Sequence, residues 1–180
     1  MLLKITPDRE DVVIARFAAL AIGIHVLESL LPSPVPGIKP GFANIITLLV
    51  FMAYGFSAAS WVSILRVVVG SLIVGTFLSP TFVLSFSGAI VSLLMLYWCD
   101  RFNRLFAVDK LSIFSLAILM SMAHMATQFL IVYVFFIPHK ALLDILPVMM
   151  TAALVFGAIN GVIARKVHKA HEVRIKSGTS

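Results

Sequence analysis

Long apolar stretches, separated by short polar or proline-rich segments, set the pattern of this chain. Six of them approach the roughly 20 residues that a membrane-spanning helix needs. They cover residues 12–31, 42–58, 59–78, 82–98, 111–136 and 144–164. The second, third and fourth are crowded, which leaves room for one of them to be short, tilted or partly re-entrant. The pattern predicts an all-α fold, a polytopic membrane bundle of about six transmembrane helices that forms a single integral membrane domain over residues 1–180.

The composition excludes the main soluble classes of protein. Hydrophobic residues make up 61% of the chain and charged residues 12%, and the mean hydropathy is +1.06. A soluble domain has roughly 45–50% apolar and 25% charged residues, and a small sphere cannot bury so much apolar surface. Disorder is excluded because the polarity is too low. The acidic residues Asp8, Glu10 and Asp11 before the first stretch indicate a retained helix rather than a signal peptide.

The basic residues predict the orientation. With six spans and both termini cytoplasmic, ten lysines and arginines fall on the inner side of the membrane, and only Lys39 and Lys140 fall on the outer side. Because positive charge accumulates on the cytoplasmic side, we predict a multi-pass protein of the cytoplasmic (inner) membrane. The net charge of +6 then reflects orientation, and no nucleic-acid partner is expected. The basic tail 165–180 is expected to extend the last helix at the membrane surface.

The connection between the first two stretches has an unusual composition. Residues 31–41 read L-P-S-P-V-P-G-I-K-P-G, with four prolines and two glycines. Proline fixes φ and restricts the residue before it, so a continuous helix is excluded. We expect a stiff, extended loop on the outer face that is shaped by Pro36, Gly37 and Gly41.

Several polar side chains lie where lipid should not tolerate them. His25 and Glu28 share a helix face and form either a polar mouth that contacts a ligand or an ion pair at the headgroups. Arg66 lies within the third span and either pairs inside the bundle with an anion or carboxylate or extends toward the inner surface. His124 and Gln128 share a face of the fifth span, where they hydrogen-bond either a ligand or a neighbouring helix.

Small residues at four-residue spacing mark faces where helices approach closely. Ala15 and Ala19 lie on the first span, Gly157 and Gly161 on the sixth. Each pair serves either as a docking face for another membrane protein or as packing within the bundle.

The chain carries no recognisable catalytic constellation. There is no phosphate-binding glycine loop, no paired-aspartate motif for magnesium and a diphosphate, and no arrangement of a serine or cysteine nucleophile with a base. A single cysteine, Cys99, leaves no disulfide framework and no cysteine-cluster metal site. We therefore favour a non-enzymatic role without a cofactor or metal.

The most specific text in the sequence is P-V-P-G-I-K-P-G-F-A-N-I-I-T-L-L at 34–49, followed by L-R-V-V-V-G-S-L-I-V-G-T-F at 65–77 and L-S-F-S-G-A-I-V-S-L-L at 84–94. Together these blocks resemble the Gx transporter family, also labelled heptaprenyl diphosphate synthase component I. The family pattern usually reads G-x-K-x-G-x-A-N. Its fixed positions are filled here by Gly37, Lys39, Gly41, Ala43 and Asn44, while Pro40 replaces a commonly aliphatic residue.

That family is in turn similar to the substrate-binding S components of energy-coupling-factor transporters, which are six-helix proteins of about this size. The resemblance implies that the loop between the first two spans closes over a ligand from outside. It places Lys39 and Asn44 at the site, with Arg66 beneath, and it makes Ala15 and Ala19 docking residues for a transmembrane energising module. It does not name the ligand.

Two hypotheses follow. The first is a transport subunit that binds and translocates a small, possibly anionic solute through Lys39, Asn44, Arg66, Glu28, His25, His124 and Gln128. A rigid loop with one lysine above a buried arginine suits an anionic molecule, although Lys39 could instead meet lipid phosphates. The second hypothesis is a non-catalytic membrane component that supports polyprenyl and quinone synthesis beside a soluble prenyl diphosphate synthase subunit.

Overall fold

The computed structural model describes residues 9–30, 41–106 and 111–177, and this part of the chain is helical without strands. The helices are α1 (Arg9–Leu30), α2 (Ala43–Val74), α3 (Pro80–Phe106), α4 (Ile113–Ile131) and α5 (Leu146–Ser177). A π-helical turn at Val132–Phe136 extends α4, and a 3-10 helix at Lys140–Ile145 leads into α5. The predicted polytopic helical bundle is confirmed.

Five helices in the described part are long and apolar enough to cross a membrane. Four of them correspond to the predicted spans 12–31, 82–98, 111–136 and 144–164. The predicted spans 42–58 and 59–78 correspond to the two parts of α2. The break between them lies at Gly55, three residues before the predicted boundary, where the backbone is non-helical with φ 86° and ψ −173°.

The interruption at Gly55 folds α2 back on itself. Arg66 Nη1 donates a hydrogen bond of 2.9 Å to Asn44 Oδ1 across 22 residues, whereas a straight helix would separate these residues by about 33 Å. The short arm (43–54) and the long arm (56–74) therefore run antiparallel. The short arm, about 18 Å long, cannot cross a hydrocarbon core of about 30 Å, which agrees with the expectation that one of the crowded spans is short.

The remaining helices alternate in direction. Phe17 of α1 contacts Tyr54 beside the break in α2, and His25 packs on Gly70 near the end of α2, so α1 and the long arm run in parallel. Gly88 and Ser92 of α3 contact His124 and Met120 of α4, in reverse order along the chain, so α3 and α4 are antiparallel. Gly157 and Gly161 of α5 likewise pack on Ile118 and Phe114 of α4 in reverse order. The start of α1 and the end of α5 thus lie at the same end of the bundle. We call the opposite end, which carries residues 75–79 between α2 and α3, the turn end.

The core consists of three apolar clusters between neighbouring helices, and large apolar side chains cover the outside. One cluster joins α1 to both arms of α2 through Ala18, Ala21, Val50 and Val62, among others. Outward-facing side chains such as Trp61, Phe135 and Leu27 are each more than half exposed. So large an apolar exterior indicates contact with lipid rather than with water.

Substitution of Gly55 by alanine is expected to destabilise the protein by about 1–3 kcal/mol, because the backbone conformation of Gly55 is essentially open to glycine alone. There is free space around Gly55 for a methyl group, so the cost is conformational rather than steric. Thermal unfolding in detergent measures it. Gly23→Ala is the matched control, since Gly23 also has open space but lies in regular helix, where alanine is favoured by about 0.5–1 kcal/mol. Equal effects of the two variants would contradict the fold-back.

Candidate functional site

Polar side chains from four helices meet around one cavity inside the bundle. It is lined by His25, Glu28, Gly41, Asn44, Arg66, Val67, Ser85, His124 and Gln128. All six described residues of the predicted substrate-binding set are among them. Lys39, Pro36 and Gly37 lie outside the described residues. The structure thus brings these six side chains together, and their role in binding stays a prediction.

Arg66 is the central charge of the site. Its side chain faces the bundle and is only 4% exposed, so it does not extend toward the membrane surface. One guanidinium nitrogen is held by Asn44, and Nε is buried with no hydrogen-bond partner in the described part of the chain. A guanidinium stays protonated in proteins and all its N–H groups are donors. An unsatisfied buried donor is costly, so Arg66 offers a ready contact to an acceptor in the cavity.

Glu28 supplies negative charge to the same region. It is 5% exposed, so it is buried within the bundle and does not form an exposed ion pair at the headgroups. Its Oε1 accepts a hydrogen bond from the backbone N–H of Phe42, which fixes the start of α2 against the end of α1. The carboxylate also attracts Arg66 electrostatically, so the two buried charges compensate each other in part.

His124 and Gln128 form the opposite wall on α4. Gln128 Nε2 lies 3.1 Å from His124 Nε2, and Ser92 Oγ lies 3.5 Å from His124 Nδ1. The imidazole packs directly on Gly88 of α3, where an added Cβ would lie 2.7 Å from the ring. The histidine therefore contacts both its own helix and a neighbouring helix, while its ring still borders the cavity.

The cavity is small in this structure. Its volume of about 30 Å³ holds about two water molecules. A larger solute would require the surrounding side chains to move apart. In the part of the chain that the structure describes, no three His, Cys, Asp or Glu side chains cluster in a way that could hold a metal ion.

Three contributors to the site were not predicted from sequence: Ser85, which lines the cavity, and two glycines. Asn160, a polar residue within the last span, donates a 3.3 Å hydrogen bond from Nδ2 to the carbonyl of Gly41. Gly70 and Gly88 each receive a histidine ring, from His25 and His124 respectively. Gly70, Ser85 and Gly88 lie within the two sequence blocks at 65–77 and 84–94. The resemblance of these blocks to a known family is therefore the sequence feature that points to these three residues.

The two small-residue pairs have different environments. Gly157 and Gly161 pack on the backbone of α4 at Ile118 and Phe114, so this pair serves packing within the bundle. Ala15 and Ala19 are exposed on the outer side of α1, where they border a shallow groove with Asp11 and Arg16. Their predicted docking role is left open by this placement.

The comparison with known proteins identifies one family. Its model, described as heptaprenyl diphosphate synthase component I, matches residues 17–167, which is most of the chain. A search of curated proteins found no match, and neither did a search of solved structures.

Proposed function

The chain belongs to the heptaprenyl diphosphate synthase component I family, and on that premise we propose that it is a membrane-embedded binding subunit for a small anionic solute. The observation that carries the proposal is the buried guanidinium of Arg66, a residue that lines the polar cavity and whose Nε has no hydrogen-bond partner among the described residues. An ionisable group inside a membrane protein marks a functional site by default, because placing it there without a role is costly.

The surroundings of Arg66 favour a compact anion. Asn44, His124 and Gln128 offer neutral polar groups around the charge, and Glu28 on one side limits how much negative charge the cavity accepts. A bidentate acceptor such as a carboxylate or phosphate matches guanidinium geometry. We infer that Lys39, in the loop that precedes Gly41, adds a second cation when the solute is bound.

We further propose that the protein translocates its solute in the manner of an S component. In that mode the exposed Ala15 and Ala19 on α1 contact a transmembrane energising module, since small residues permit close helix approach. Both termini are then cytoplasmic, and the turn end faces outward. The chain itself carries out no chemistry in this proposal.

A second candidate function follows from the family's description. In it the chain is a non-catalytic membrane component that supports a soluble prenyl diphosphate synthase subunit. The family match favours this candidate as much as the first, and an apolar exterior suits a long polyprenyl product. Because the chain has no paired-aspartate motif for a magnesium diphosphate, the catalytic residues must belong to the other subunit.

Native mass spectrometry of the protein, extracted gently from its own membranes, separates the two candidates. A retained small anion of defined mass, absent from Arg66→Gln but present in Arg16→Gln, is the result expected for the binding subunit. Arg16 is a matched control because it is an exposed arginine on α1. Co-purification of a soluble prenyltransferase without any retained small molecule would overturn the first proposal in favour of the second.

A further inference from the structure

A second, larger cavity lies beside the first at the turn end of the bundle. Its volume is about 210 Å³, against about 30 Å³ for the cavity at Arg66. It lies where the end of α1, the end of the long arm of α2 and the start of α3 meet. Its polar lining consists of His25, Ser29, Ser71, Thr76, Thr81 and Ser85. We call it the hydroxyl cavity.

The hydroxyl cavity and the Arg66 cavity share part of their walls. His25 and Ser85 border both of them, so these two side chains form the partition. Thr81, at the far side of the hydroxyl cavity, is exposed next to the turn between α2 and α3. The order from the turn end inward is therefore Thr81, the hydroxyl cavity, the partition and Arg66.

The lining of the hydroxyl cavity suits a hydrated polar solute. Ser71 Oγ donates a hydrogen bond of 2.8 Å to the carbonyl of Val68. The hydroxyl of Ser71 can therefore act toward a cavity occupant only as a hydrogen-bond acceptor. Five hydroxyl groups in an otherwise apolar bundle can replace part of a solute's hydration shell without adding charge. Non-apolar surface at membrane depth is tolerated where it lines a water-filled cavity.

The partition depends on how His25 is seated. The His25 ring lies against Gly70, where an added Cβ would come within 2.7 Å of Cδ2. A side chain larger than hydrogen at position 70 would therefore displace the ring from the long arm. Because His25 borders both cavities, and a histidine side chain can change rotamer by rotation about two bonds, a rotamer change of His25 is the motion that the proposal below invokes.

We propose that the hydroxyl cavity is the access route by which a small polar solute reaches Arg66, and that His25 is the residue that closes this route. The proposal rests on the proposed binding function for its solute, but the route itself is a property of the empty protein. It assigns the path to α1, the long arm and α3.

Cysteine accessibility tests the route without any ligand. The native cysteine is first removed by Cys99→Ser, and single cysteines are then introduced along the long arm of α2. They replace Ser71 in the hydroxyl cavity, Val67 in the Arg66 cavity, and Val62 in the apolar cluster between α1 and α2. The probes are the small methanethiosulfonate reagents with an anionic sulfonatoethyl or a cationic aminoethyl group. The rate of modification is measured in membranes.

We expect Ser71→Cys to react readily, Val67→Cys slowly, and Val62→Cys not at all. Adding His25→Ala should raise the rate at Val67→Cys by about tenfold or more, since it removes the closing side chain, and leave Ser71→Cys unchanged. Val62→Cys must stay unreactive in the His25→Ala protein, which shows that the bundle is still folded. The anionic reagent should gain more than the cationic one at Val67→Cys, because Arg66 lies beside it.

Gly70→Ala provides a second test that keeps the histidine. The new methyl group displaces the ring, so Val67→Cys should again react faster. An unchanged rate at Val67→Cys in both His25→Ala and Gly70→Ala, or equal rates at Val67→Cys and Ser71→Cys with His25 in place, would overturn the route. A retained anion in mass spectrometry together with that result would preserve the binding function and assign access to another path. The expected labelling without any retained anion would preserve the route and reject the binding function.

Discussion

Arg66→Ala is expected to lower the free energy of unfolding by about 3–5 kcal/mol, because it removes a buried positive charge that attracts the buried Glu28 carboxylate. Glu28 is the charge left behind, at 5% exposure. Asn44 also loses the donor that holds the start of the short arm against the long arm. The same substitution should abolish retention of a small anion, since the cavity would keep no other described cation at that position.

Thermal unfolding of the purified protein in detergent measures the first effect, and matched variants isolate its cause. Arg16→Ala removes an exposed arginine of α1 and should change stability by less than about 0.5 kcal/mol. Arg66→Ala combined with Glu28→Gln should be less damaging than the sum of the two single changes, because the double variant leaves no unpaired charge. Strict additivity would show that Arg66 and Glu28 do not interact.

Loss of Lys39 should separate binding from stability. We expect Lys39→Ala to weaken anion retention while leaving the unfolding transition close to that of the unmodified protein, in contrast to Arg66→Ala. Retention that is unaffected by Lys39→Ala would confine the site to Arg66 and its neighbours. It would also favour the interpretation in which Lys39 meets lipid phosphates.

The fold class follows from sequence because lipid imposes a simple rule. A spanning segment must be apolar and must satisfy its own backbone, so the length of each apolar stretch predicts α1, α4 and the starts of α3 and α5 to within a few residues. α5 continues to Ser177, as expected for the basic tail, whereas α3 continues to Phe106, eight residues beyond its apolar stretch. The length of the apolar stretch 42–78 also predicts a break inside it, because it is too long for one span. The sharp reversal at Gly55 does not follow from sequence, since no proline marks it. The backbone conformation at Gly55 and the contact between Asn44 and Arg66 reveal that the two parts of α2 run antiparallel.

The residues of the site could be found from sequence, but their arrangement could not. His25 with Glu28, and His124 with Gln128, stand out because polar residues in spans are rare and share a helix face. Both pairs lie beside Arg66 because of which helices are neighbours in the bundle. The pattern of apolar and polar residues does not predict which helices are neighbours. Gly70 and Gly88, which contact the two histidine rings, lie in the sequence blocks that carry the family resemblance, but their role does not follow from sequence, since a glycine in a membrane helix has many uses.

Gly88→Ala is expected to displace His124 from the wall of the Arg66 cavity and to destabilise the protein, although Gly88 itself does not line the cavity. The new Cβ would lie 2.7 Å from Cε1 and Nδ1 of His124, and a planar ring held against Gln128 and Ser92 has little freedom to move away. Overpacking of this kind costs about 1–3 kcal/mol. Displacing the ring also weakens its contact to Gln128, which is largely buried at 9% exposure, at a further cost of about 1–3 kcal/mol.

Three variants separate displacement of the ring from a general effect of alanine. Gly23→Ala should be neutral or slightly stabilising, because nothing lies within 4 Å of the added Cβ and alanine favours helix. His124→Ala alone should lose the contacts of the ring, and adding Gly88→Ala to it should cost little more, since the colliding ring is gone. If Gly88→Ala were as harmful in the absence of His124 as in its presence, the close packing of His124 on α3 would be wrong. The coupling between the two positions therefore tests directly whether α3 sets the position of a cavity wall that α4 provides.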